Sequence, residues 1–370
     1  MKNTARALLA ILAVTAVAVL GGATPIAAQV SLPPADSLYV GDAADNLVKR
    51  FDAQTGQFLG TFIHVGLHGP RGLLRPADFL VSNQNVNQSI AGEIDRFSSA
   101  DGTSLGALVP QNNNPNAPFA PRGIIIGPDH RTLYVAQIGP DDPKAVGGGR
   151  VCAGSTTTPC GAVKRYDLTT GPPAQFLGDL DFSSFINNST LTTGEFRARG
   201  LVFGPDGLLY VSVFSETNRS FGFVLSKNIA TGEVKVVTSY LANDSCSRHL
   251  HRPEGLVFGP DGRLYVTSFR ANADDIDRIL VFDIPSGACV DEITLDEVGE
   301  PRAFAQALLF GPGGFLFVPI SGDGPDTGAV RRYDVKTKVF SNFVEPGGRL
   351  REGWYLTFGN TNPSTLAYPS

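Results

Sequence analysis

Hydrophobic positions in this chain come in runs of three or four, closed by Gly, Pro and Asp. "GLVFGPDGLLYVSVF" runs from Gly200 to Phe214, and nearly the same text returns as "GLVFGPDGRLYVTSF" from Gly255 to Phe269. An apolar run this short between turn signals reads as a strand buried on both faces. "GPDG" then supplies the turn dihedrals, and "LYV" is the returning strand. Weaker copies follow the same order: "PRGLLRPADFLVSNQ" from Pro70, "PRGIIIGPDHRTLYVAQI" from Pro121, "AQALLFGPGGFLFVPI" from Ala305 and "REGWYLTFGNTNPSTLAY" from Arg351. A further pair of strands follows each copy, joined at hairpins such as "FDAQTG", "YDLTTG" and "FDIPSG".

Each unit therefore predicts a four-stranded antiparallel sheet. Five units are complete. The sixth is split, with its outer strands in residues 36–63 and its first strand in 351–359. Repeats at such a period mean a stacked or ring-shaped array. A split unit lets both chain ends pair in one sheet, which removes the exposed edges of an open array. The fold expected is all-β: a six-bladed β-propeller of four-stranded antiparallel blades, one blade closed by both termini. "TLAY" near the C-terminus offers a rival second strand to "SLYV" at that closure.

Composition agrees. With 42 Gly, 26 Pro and 24 Phe, the 370-residue chain suits short strands and tight turns rather than helices. Only 18% of residues are charged and the formal charge is −5, with no basic run, so nucleic acid is not an expected partner. Lys2 and Arg6 precede an apolar run from Ala7 to Leu20, and "PIAAQ" offers a small-residue cleavage site. Residues 1–28 read as a cleaved signal peptide, because the run is short for a membrane span. Residues 29–370 read as a single propeller domain, secreted or periplasmic, without a span and monomeric. Cys152, Cys160, Cys246 and Cys289 suggest disulfides in that setting. Three connectivities are possible; the favoured one is Cys152–Cys160 with Cys246–Cys289. No C-x-x-C pair supports zinc.

The pattern "P-x-G-[apolar]3-G-P-D-G-x-L-Y-V" followed by "[YF]-D-x-x-T-G" resembles the NHL-repeat propellers and the related SMP-30/gluconolactonase-like superfamily. The resemblance covers most of residues 36–368 and speaks to fold more than to function. It implies a site where the first strands begin, at the channel mouth. The x positions there are read as Arg71, Arg122, Arg199, Glu254, Gln306 and Glu352, with Asp42, Asn83 and Gln137 at the ends of neighbouring second strands. Arg71, Arg122, Arg199 and Gln306 are candidates for binding a small anionic or hydroxylated ligand. The resemblance also implies a divalent metal, Ca²⁺ or another. "PEG" at Glu254 and "REG" at Glu352 match its carboxylate motif, and Asp42 and Asn83 complete an oxygen-rich shell. The three Arg depart from that pattern, since cations oppose a bound metal.

His251, beside His249 in "SRHLHRPEG", is paired with Glu254 as an acid–base candidate. The long Gly-rich insertion Val146–Cys160 lacks G-K-[ST], so it is not a phosphate loop. No G-x-S-x-G elbow is present. Two functions follow: an exported binding module for a small polar ligand or protein partner, or a divalent-metal-dependent lactonase, esterase or lyase.

Overall fold

The "LVFGPDGxLYV" copies each form an antiparallel strand pair around a tight turn. In the turn of the Gly200–Phe214 copy, Gly207 takes φ 76°. The Asp206 carboxylate accepts the Leu208 N–H at 3.1 Å and the Tyr210 hydroxyl at 2.8 Å. The Gly255–Phe269 copy repeats the second bond, Tyr265 to Asp261, at 3.0 Å. A computed structural model describes residues 36–85, 91–112, 114–139, 161–186, 196–215, 221–324 and 326–369. The signal-peptide reading and the proposed Cys152–Cys160 bridge fall outside these residues.

Among the described residues there are six four-stranded sheets, each antiparallel. Blade 1 takes its first strand, Gly353–Phe358, from the C-terminus and its other three from residues 37–63. The remaining blades follow in chain order over 70–109, 121–179, 196–239, 252–294 and 309–344. Helix is confined to short pieces such as Ser183–Ile186, and none of the described helices is long and apolar enough to cross a membrane. The six-bladed propeller with a split blade is therefore the observed fold.

Aromatic residues of the repeat join one blade to the next. Tyr134 meets Phe203 edge-on at 5.4 Å. Tyr210 meets Phe258, Tyr265 meets Phe310, and Phe317 meets Phe358, each at 5.0 Å. In each pair a second-strand ring contacts a first-strand ring of the following blade. Such pairs add about 0.5–1.5 kcal/mol each beyond their area. A single blade has no partner for these rings, which is the physical reason the sequence is copied.

Closure relies on strand pairing and on one carboxylate. Leu38, Val40 and Gly41 pair with Phe358, Leu356 and Tyr355. Asp42, fully buried, accepts Lys49 Nζ at 2.7 Å and the N–H groups of Arg351 and Glu352 at 2.8 and 3.1 Å. It ties the first strand of the chain to the last. "TLAY" forms no strand. The segment after Phe358 instead turns across the face that carries the "GPDG" turns. There Pro363 and Ser364 carbonyls accept the N–H groups of Ile126 and Phe203 at 2.9 and 3.2 Å. Leu366 packs against all three large apolar clusters of the ring. The Cys246–Cys289 disulfide is present, with Cα atoms 5.6 Å apart, and joins the approach to blade 5 to that blade's outermost strand.

Candidate functional site

The site begins with a repeated irregularity. In blades 2 to 5 the pairing of first and second strands shifts register at the x-G step, for example between Pro253 and Leu256. Blade 1 shifts at the equivalent place, opposite Asp42. A bulge of this kind turns a side chain out of the sheet. The loosened glycine amides are caught by second-strand hydroxyls: Gly200 N–H by Ser212 at 2.8 Å and Gly255 N–H by Thr267 at 2.9 Å. Glycine is required here by proximity, since a Cβ on Gly200 would lie 2.4 Å from the Glu254 carbonyl oxygen of the next blade.

The side chains so directed are Arg71, Arg122, Arg199 and Glu254, and Gln306 holds the same place ahead of the short first strand of blade 6; all five are at most 7% exposed. They touch one another. Arg199 Nη1 lies 3.0 Å from Glu254 Oε1. Gln306 Oε1 accepts from Arg71 and, at 3.4 Å, from Arg122 Nη1. Arg71 also donates to Gln84 Oε1 at 2.7 Å. Five of the six ring residues read from sequence thus converge in one buried polar cluster.

The sixth is corrected. Strand pairing sets Gly353 opposite Asp42 as Pro253 is opposite Ser268, so Trp354 holds the position of Glu254 and Glu352 lies two residues earlier. Glu352 Oε1 accepts the Trp354 indole N–H at 2.9 Å. The Trp354 ring carries the Arg71 guanidinium 3.2 Å from its centroid. Tyr355 then stands where blades 2 to 5 have glycine. Its hydroxyl is buried without a hydrogen-bond partner among the described residues. Burial and then the Glu254 carboxylate push this phenol up to about 12, while Arg122, Arg71 and Arg199 pull it down. Outside the arginines, two more buried atoms of the cluster share its condition: Glu254 Oε2 and Gln306 Nε2. An unsatisfied buried polar atom costs about 1–3 kcal/mol, so one acceptor, one donor and one hydroxyl stand open in the same cluster.

The oxygen atoms expected to hold a metal are engaged elsewhere. Asp42 is the closure carboxylate. Asn83 accepts the His68 N–H at 2.8 Å, and its amide donates to Gly66 O and Asp95 Oδ2, both at 2.9 Å. Glu254 is held by an arginine. Among the described residues the only three His, Cys, Asp or Glu donor atoms within 4.8 Å of one another belong to Asp244, Cys246 and Cys289, and those two sulfurs are joined in the disulfide. The donor set does not fit a divalent cation.

His251 and Glu254 face different partners, so the expected acid–base pair does not form. His251 Nε2 lies 3.4 Å from Asp275, and His249 Nδ1 lies 2.9 Å from Glu292. Burial opposes ionisation of Asp275, but hydrogen bonds led by the Ala271 N–H and Arg278 hold it down to about 2. Gln137 caps a loop by accepting the Phe119 N–H at 2.9 Å. Trp354 and Tyr355 were missed in the sequence, although counting back four residues from the "F-G" turn finds the first of them.

Fold and site together define a six-bladed propeller with a buried, arginine-rich polar centre. Among solved structures the chain is similar to TolB from Acinetobacter baumannii, at 13% identity and TM-score 0.53, over 88% of this chain and 66% of that one. It is also similar to the periplasmic gluconolactonase PpgL of Pseudomonas aeruginosa, at 18% identity and TM-score 0.51, over 84% and 82% of the two chains. A 6-phosphogluconolactonase assigned in Bacteroides uniformis matches at 14% identity and TM-score 0.53, over 88% of this chain and 100% of that one. At these identities the likeness is one of fold. No protein-family model and no curated protein matches the sequence.

Proposed function

We propose that this chain is an exported propeller that binds a small organic anion at the centre of its ring. The observation that carries this reading is the convergence of three buried guanidinium groups on a cluster with open hydrogen-bonding atoms. Arginine forks grip carboxylate and phosphate oxygens with directed, charge-assisted bonds. Export is supported by the Cys246–Cys289 disulfide and by the signal-like first 28 residues.

Trp354 is the only tryptophan in the chain and stacks on Arg71, so its fluorescence reports on the cluster. Succinate or inorganic phosphate should shift its emission and raise the melting temperature, as a ligand of the folded state does. Arg122→Gln should weaken binding by roughly tenfold or more, the worth of a hydrogen bond to a charged group. An emission unmoved by tens of millimolar of either anion would overturn the reading.

A second reading is an ester- or lactone-hydrolysing enzyme, favoured by the open Glu254 Oε2 beside the Gln306 and Tyr355 donors and by the gluconolactonase name of a similar structure. The metal-dependent form of that reading predicts loss on chelation. Because Asp42 and Asn83 are engaged, we expect EDTA to leave the melting temperature unchanged. A drop that Ca²⁺ restores would show that the cluster holds a cation.

A further inference from the structure

The proposed anion site leaves unexplained why three uncommitted polar atoms sit among the arginines. Their chemistry is specific. Glu254 Oε2 is an acceptor, Gln306 Nε2 a donor, and Tyr355 Oη can do either. All three residues are at most 7% exposed, so bulk water does not cover the cost. An ionised carboxylate alone satisfies only donors. It leaves Glu254 Oε2 open and sets a second negative group beside it. A ligand that fills all three must bring a hydrogen-bond donor and an acceptor as well as its charge. An ammonium is a poor choice so near Arg71, Arg122 and Arg199. A hydroxyl is neutral and provides both functions.

We infer that the ligand is a hydroxylated organic anion, and that Tyr355 is the residue that selects for its hydroxyl. In this arrangement the anionic group lies against the guanidinium groups, the ligand hydroxyl donates to Glu254 Oε2, and Tyr355 Oη donates to the hydroxyl oxygen. Burial keeps the phenol protonated and therefore a donor at every physiological pH. Blades 2 to 5 carry glycine at the equivalent position, so this donor comes from blade 1 alone. The inference rests on the anion-binding reading and gives it a ligand class.

Malate and succinate differ by one hydroxyl and so isolate the effect. Each is titrated into the mature protein and into Tyr355→Phe while Trp354 emission is followed. Wild type should bind malate roughly five- to tenfold more tightly than succinate, the worth of one hydrogen bond. Tyr355→Phe should bring malate to the succinate level and leave succinate unchanged. Its melting temperature in the absence of ligand should equal or exceed that of wild type, because a buried orphan hydroxyl has been removed. Succinate binding with no preference for malate, or a preference that Tyr355→Phe retains, would overturn the selector and leave the anion site standing. A variant that melts well below wild type would show that the hydroxyl has a structural partner and would also overturn it. If neither acid moves the emission, both readings fall together.

Discussion

At the scale of single residues, the second blade carries a charge that burial makes costly. Desolvation first, and Glu93 next, push the Asp95 carboxyl up to about 7, while the Asn83 amide pulls it down. Glu93 is raised as well, again chiefly by burial, with the Gln111 backbone N–H, Asn85 and His68 acting against it. The folded state therefore holds this proton more tightly than the unfolded chain does. The effect is absent below about pH 4, destabilises progressively from pH 4 to 7, and is fully present above 7. A shift of this size is worth on the order of 3–4 kcal/mol. Asp95→Asn, which keeps an oxygen to accept from Asn83, should raise the melting temperature at pH 8 and leave it near wild type at pH 4. Equal melting of the two proteins at pH 8 would contradict this.

At the scale of strands and blades, the repeat was readable because turn chemistry and ring packing must be restated in each copy. "GPDG" and "LYV" are fixed by local requirements that any unit must meet, so their recurrence exposed the fold. The ring positions were readable for the same reason in blades 2 to 6. Blade 1 misled because a second glycine, Gly353, imitates the x-G step while the true step carries Trp354 and Tyr355. Pairing across the closure sets that register, and it is counted from the "F-G" turn rather than from the nearest glycine. The metal shell failed for a related cause. Asp42 and Asn83 have the right oxygens at the right strand ends, but backbone N–H groups take them, from Arg351 and Glu352 across the closure for Asp42 and from His68 at the blade's own entry for Asn83. Outer strands show a device that sequence alone does not reveal. The third and fourth strands of every blade shift register at least once. Such bulges twist an exposed edge away from intermolecular pairing.

At the scale of the whole molecule, the C-terminal segment does more than end the chain. Leu366 draws on all three apolar clusters, and the carbonyls around it tie blades 3 and 4 to the tail. Ending the chain after Asn360 should remove this stopper without touching a strand. The shortened protein should keep its β-sheet circular dichroism yet melt earlier, by about 1–3 kcal/mol of stability, since Leu366 is only partly buried. An unchanged melting temperature would reduce the tail to decoration.

The closure of blade 1 also has a history in time. Asp42 meets Arg351 across 309 residues, so the ring cannot shut until the strand Gly353–Phe358 has been made. At ordinary synthesis speeds that is a wait of roughly 15–60 s. Through that interval residues 37–63 lack the strand they pair with, and contacts so distant are slow to form in any case. A chain that stops before Gly353 never receives that strand. Its first blade keeps an open edge of the kind that invites pairing with another chain, so the joint that makes the complete ring stable leaves an incomplete one exposed to association.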